Sequence, residues 1–133
     1  MNNRKKEFNR WFEQAQFDLK AARDSLEATN FEWACFQAQQ AGEKTLKGYL
    51  SLHGKSVLET RSIFALLKRC SEISPEFKNI EHTKELTQYY IPTRYINGLP
   101  DDIPHHFYEK GDAEKCIKHA EQIINLVKEM SRT

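Results

Sequence analysis

Arg94 stands among tyrosines in the stretch YYIPTRYINGLPDDIPHHF (Tyr89 to Phe107), which also holds three prolines and one glycine. A guanidinium beside tyrosine rings has two uses. It can grip a phosphate through paired N–H donors while Tyr90 or Tyr95 stacks on a purine base. Alternatively, the rings pack over the end of a helical bundle while Arg94 bonds the last carbonyls of a helix. Spacing alone leaves both open. Lys44 and Lys47 fall one helical turn apart, at neighbouring positions that suit either a phosphate or a wet surface. Arg61 and Arg69 add two further candidate cations.

Other candidate motifs carry less. The stretch GYLSLHGKS, Gly48 to Ser56, resembles a phosphate-cradling loop, but five residues separate its glycines where that motif has four. The motif also needs a strand before it, whereas Gly48 falls within a helical pattern and Gly54 reads as a helix stop. His105 and His106, with Asp101 and Asp102 upstream, lack the i, i+4 spacing of helical metal ligands, so no metal or other cofactor is expected. Cys35, Cys70 and Cys116 are odd in number and far apart, with no C-x-x-C pair; they read as buried thiols in a reducing compartment. No nucleophile, base and orienting group share a recognisable spacing.

The elements that must position these residues are helical. Phe8, Phe12, Ala15, Leu19, Ala22 and Leu26 recur in steps of four and three, marking one face of a first helix. Asn30 is the expected N-cap of a second helix running to about His53. Its seam of Ala34, Ala38, Ala41, Thr45, Gly48 and Leu52 is mostly small and lets a neighbouring helix come close. Thr60 is the expected cap of a third helix carrying Ile63, Leu66, Leu67, Cys70 and Ile73, halted at Ser74-Pro75. A weaker pattern spans Asn79 to Tyr90. Asp112 is the expected cap of a last helix with Cys116, Ala120, Ile123, Val127 and Met130 on its stripe. No segment alternates with period two. The expectation is all-α: an up-and-down bundle of four long helices plus a short one, in a single domain over residues 1–133.

Composition bounds the function classes. At 133 residues the chain has the length of one domain with one core. A net charge of +1 gives no global field towards nucleic acid or anionic membrane, so such binding would need a local patch. The amino terminus, MNNRKKEFNRWF, lacks a signal-peptide apolar run, and no stretch approaches a membrane span. A cytoplasmic protein is expected.

Three stretches together resemble the HEPN family of small prokaryotic helical proteins, which is also similar to a terminal domain of the animal protein sacsin. They are WFEQAQFDLKAARDSL, ACFQAQQAGEKTLKGYL and YYIPTRYINGLPD, and the resemblance covers about Trp11 to Met130. It implies a homodimer that binds nucleotide, or a ribonuclease toxin acting with a nucleotidyltransferase antitoxin. Arg94-Tyr95 matches an arginine-tyrosine position found in family members. In two places the chain departs from the pattern. The ribonuclease subset has four to six residues between an arginine and a histidine, whereas Arg94 and His105 have ten residues between them. Arg61 also stands where a titratable Thr-His-Ser-like triplet is common, which puts a permanent cation in place of a proton carrier.

The expected site is therefore a nucleotide groove with Arg94 on phosphate and Tyr90 or Tyr95 on the base, supplemented by Lys44, Lys47 or Arg61. Two other expectations stand beside it. One is a metal-independent ribonuclease using Arg94 with His105 or His106, brought together by folding. The other is an interaction module that docks a separately encoded nucleotidyltransferase.

Overall fold

The computed structural model describes residues 2–56, 59–90 and 101–132. Among these, every regular element is helical: α1 (Asn2–Glu27), α2 (Phe31–Leu52), α3 (Ile63–Ile73), a 3-10 segment (Pro75–Tyr89), α4 (Pro104–Phe107) and α5 (Lys110–Met130). The long elements form the expected bundle, with α4 as its short helix. α2 lies at its centre, packed on α1 and α5, while α3 pairs with the 3-10 segment. No described helix is long and apolar enough to cross a membrane.

The helix ends show how local chemistry sets the frame. Thr29 takes a left-handed conformation (φ 62°), which ends α1 and turns the chain back along it. Asn30 precedes α2, but its side chain makes no capping bond; Glu32 in the first turn supplies the negative charge that a helix N-terminus favours. α2 stops in a Schellman motif, in which the Lys55 amide donates to Leu50 O at 2.9 Å and the Gly54 amide to Ser51 O at 3.0 Å. Gly54 sits at φ +70°, a left-handed conformation that calls for glycine, and the Arg4 guanidinium lies over it, 2.5 Å from where a Cβ would stand.

Three boundaries differ from the expected ones. Ser62, not Thr60, caps α3: its hydroxyl accepts from the Ala65 amide at 3.1 Å, while Thr60 Oγ1 accepts from the Ser62 amide at 3.0 Å. The segment expected from Asn79 starts at Pro75, which suits an initial helical position. It runs as 3-10 turns broken at Ile80 (φ −115°), which explains its weak 3.6-residue periodicity. α5 begins before Asp112, because Glu109 and Asp112 close a reciprocal capping box; Asp112 Oδ2 accepts from the Glu109 amide at 2.8 Å.

The core gathers the predicted stripes: Leu19 and Ala22 from α1, Ala38 and Ala41 from α2, Leu66 from α3, Leu86 from the 3-10 segment, and Ile123 from α5 are all buried. The small-residue seam of α2 does bring a neighbour close. A Cβ on Gly48 would stand 2.8 Å from the Cβ of Trp11 on α1. Cys35, Cys70 and Cys116 are free and buried. Burial pushes the Cys70 thiol up to about 12, and a hydrogen bond with Cys35 together with burial raises Cys116 as well. Cys70 and Cys116 are thus neutral, unreactive thiols at ordinary pH.

Candidate functional site

Roughly opposite the small-residue seam, α2 carries Glu32, Phe36, Gln39, Gln40, Glu43 and Lys47, spaced to share one face. Four of these polar residues, Glu32, Gln39, Glu43 and Lys47, are buried. Buried charge is costly unless paired and hydrogen-bonded, and here both conditions are met. Glu43 Oε2 receives Lys47 Nζ at 2.8 Å and Arg61 Nη1 at 2.9 Å. Glu43 Oε1 receives Gln40 Nε2 at 3.2 Å and Gln39 Nε2 at 3.3 Å. Gln39 Nε2 also donates to the Arg61 carbonyl at 3.0 Å, which fastens the approach to α3 onto α2.

The two cations on Glu43 differ in access. Lys47 has a side chain 7% exposed, whereas that of Arg61 is 54% exposed. The Arg61 guanidinium lies over the Tyr90 ring, 5.1 Å from its centroid. Glu43, by hydrogen bond and by charge, holds it still more firmly in the protonated form. Tyr90 in turn meets Phe36 at 5.8 Å between ring centroids, and Phe36 meets the exposed Trp33 at 6.0 Å. The result is a half-exposed cation held by a buried carboxylate beside a row of aromatic rings. Such a surface can take a phosphate on the guanidinium and a base against the rings.

A second polar contact lies at the other end of the same face. His105 of α4 sets Nδ1 3.1 Å from both carboxylate oxygens of Glu32. Glu32 and Glu43 are eleven residues apart, roughly 16 Å along the helix axis, so this pair and the Arg61 cluster occupy separate ends of the strip. His106 instead faces Asp102, at 3.5 Å.

The expected site residues are thus divided. Arg61, Lys47 and Tyr90 come together around Glu43. Lys44 does not join them: its Nζ binds Asp18 of α1 at 2.7 Å, and it lines a separate hollow of about 570 Å³ with Arg10, Trp11 and Phe17. Arg61 lies in the connection just before α3. Arg94 and Tyr95 lie outside the described residues. Glu43, Gln39, Gln40, Phe36 and Glu32 were not expected as site residues. Their signal was a polar series at steps of three and four on a helix whose other residues read as core.

Among the described residues, no group of three or more His, Cys, Asp or Glu side chains is arranged to hold a metal ion. Another titratable cluster joins the 3-10 segment to α5. His82 and Gln122 hydrogen-bond at 2.7 Å, the His82 and His119 rings are 5.7 Å apart, and Lys115 Nζ lies 3.1 Å from Glu85 Oε1. Burial lowers the pKa of His119, outweighing the opposite pull of Glu85.

The HEPN domain family profile matches residues 8–130, nearly the whole chain. The chain belongs to the HEPN family. Among solved structures, TT1696 from Thermus thermophilus is 35% identical with a TM-score of 0.87, over 92% of this chain and 97% of that one. ST0689, an archaeal HEPN homologue, is 32% identical with a TM-score of 0.78, over 93% and 97%. In sequence, this HEPN protein is also 24% identical to MJ1304 of Methanocaldococcus jannaschii, a protein named as a candidate toxin, over 90% of this chain and 84% of that one.

Proposed function

We propose that this HEPN protein binds a nucleotide, or the nucleotide-bearing end of a partner, at the Arg61 end of the α2 polar face. The observation that carries the reading is the fixed, half-exposed Arg61 guanidinium, held between Glu43 and the Tyr90 ring. A guanidinium held in place by a carboxylate loses less freedom on meeting a phosphate than an unrestrained one. In this reading the base meets the aromatic row of Tyr90 and Phe36, and Arg94 and Tyr95, just beyond Tyr90 in sequence, add further contacts to the nucleotide. In this reading the protein is a cytoplasmic homodimer that works beside a separately encoded nucleotidyltransferase, and the toxin name of the archaeal relative supports such pairing.

Nucleotide-induced thermal stabilisation with ATP and GTP provides the test. The wild-type protein gains melting temperature with at least one of them, increasingly so as ligand concentration rises. Arg61→Ala and Arg94→Ala each abolish the gain while leaving the ligand-free melting temperature nearly unchanged. An undiminished gain in both variants overturns the proposal.

The Glu32–His105 pair favours a second reading, a metal-independent ribonuclease. A carboxylate against Nδ1 fixes the imidazole orientation, as a proton-transferring histidine requires. In this reading Arg94 works with His105, and His106 is the alternative base. Incubation with total RNA decides: cleavage by the wild type that is lost in Arg94→Ala and in His105→Ala/His106→Ala establishes catalysis. Cleavage that survives in all variants comes from a contaminant.

A further inference from the structure

Two cations share one oxygen of Glu43, yet they differ sharply in their access to a ligand. Lys47 is buried, and its ammonium is spent on Oε2 at 2.8 Å; Arg61 binds the same oxygen at 2.9 Å but keeps more than half its side chain in solvent. Gln39 and Gln40 occupy the other carboxylate oxygen. Among the described residues, then, the balance of charge around Glu43 is set by Lys47 and Arg61. A buried carboxylate with one cation binds that cation tightly, because separating them leaves an uncompensated charge. With a second cation already present, the first is held in place without being wholly claimed.

From this we infer that Lys47 is a positioning residue for anion binding and makes no contact with the anion itself. Lys47 neutralises Glu43, and that leaves the Arg61 guanidinium free to direct its remaining donors at a phosphate. The inference rests on the reading of Arg61 as the anion contact. It departs from a simpler view in which Lys47 adds its own charge to the site. Its i, i+4 place after Glu43 on α2 fits this role, because the pair is preformed within one helix and does not depend on the ligand. Arg61, by contrast, comes from the connection before α3 and reaches Glu43 only through the fold.

The two views differ in a thermodynamic cycle, with ATP as the probe and isothermal titration as the readout. Lys47→Met weakens ATP binding by roughly tenfold in the presence of Glu43, the scale of losing one partly buried charge partner. In the Glu43→Gln background there is no carboxylate for Arg61 to be drawn into, and adding Lys47→Met changes affinity by less than about twofold. If Lys47 costs the same tenfold in both backgrounds, it acts on the ligand directly or through space, and the inference is overturned. Should Lys47→Met fail to fold, Lys47→Gln keeps a donor for Glu43 without the charge and is read in the same two backgrounds. Arg61→Ala separates this inference from the reading beneath it. Wild-type binding that is lost in Arg61→Ala but shows no coupling between Lys47 and Glu43 sinks the inference alone. Binding that is undiminished in Arg61→Ala, or absent in the wild type, sinks both.

Discussion

α2 has two opposite faces built on contrary rules. One is the small-residue seam, and at Gly48 it works by letting α1 approach until a single methyl has no room. The other face keeps carboxylates, amides and an ammonium away from water and works by pairing them with one another. The first kind of burial is non-directional and stabilises. The second contributes little net stability, since an apolar replacement of similar shape often does as well. In the proposed reading, this pairing serves to hold the Arg61 guanidinium in place for an anion.

Breaking one partner at a time tests that contrast. The largest effect is expected from Glu43→Leu, which strands the buried Lys47 and costs about 3–5 kcal/mol of unfolding free energy. Chemical denaturation measures it, and adding Lys47→Met should return a large part of the loss. A Glu43→Leu cost near zero would mean that the polar face is not a paired network. Next comes Gly48→Ala on the opposite face, where the new methyl meets Trp11 Cβ at 2.8 Å. Overpacking of this kind costs about 1–3 kcal/mol, and, unlike Glu43→Leu, no second substitution on the polar face should rescue it.

A third test uses pH. His119 is partly buried, and that burial lowers its pKa from 6.5, so the unfolded chain takes up the proton before the folded one does. The contribution is intact above the unfolded value and is lost as pH falls through 6.5 towards the lower folded value. Melting temperature between pH 7.5 and 5 should therefore fall less steeply in His119→Phe than in the wild type. Equal slopes would remove His119 from the explanation. The smallest effect is expected from Lys44→Ala. Its ion pair with Asp18 is partly open to solvent, and its loss costs less than about 1 kcal/mol. ATP affinity should not change, because Lys44 turns towards α1; a clear loss of affinity would draw that side of the molecule into the site.

The bundle was legible in the sequence because its cues are local. The stripe from Phe8 to Leu26, the stop at Gly54 and the break at Ser74-Pro75 each state their structure within a few residues. Two of the three boundaries that moved did so where two side chains divide the capping between them, Ser62 with Thr60 and Glu109 with Asp112, and the third moved because 3-10 turns from Pro75 do not repeat every 3.6 residues. The candidate site was less legible. Lys47 and Arg61 were visible as cations, but their carboxylate was not, because a glutamate on a helix ordinarily reads as a solvated charge. The spacing of the polar series on α2 marks a shared face but does not reveal that Glu43 is buried; that follows only once the connection before α3 lays Arg61 across it. Lys44, one turn from Lys47, shows the converse, since the partner across the interface decides which way a side chain turns. Arg94 and Tyr95 remain an expectation from sequence, and their part in the groove is a proposal.

The most direct measurement is a crystal structure of the protein grown with saturating ATP. A phosphate oxygen should lie within hydrogen-bond distance of the Arg61 guanidinium, with the adenine against Tyr90 or Phe36 and Lys47 still bound to Glu43. ATP seated on another face, or an Arg61 end left without nucleotide at saturation, would contradict the account.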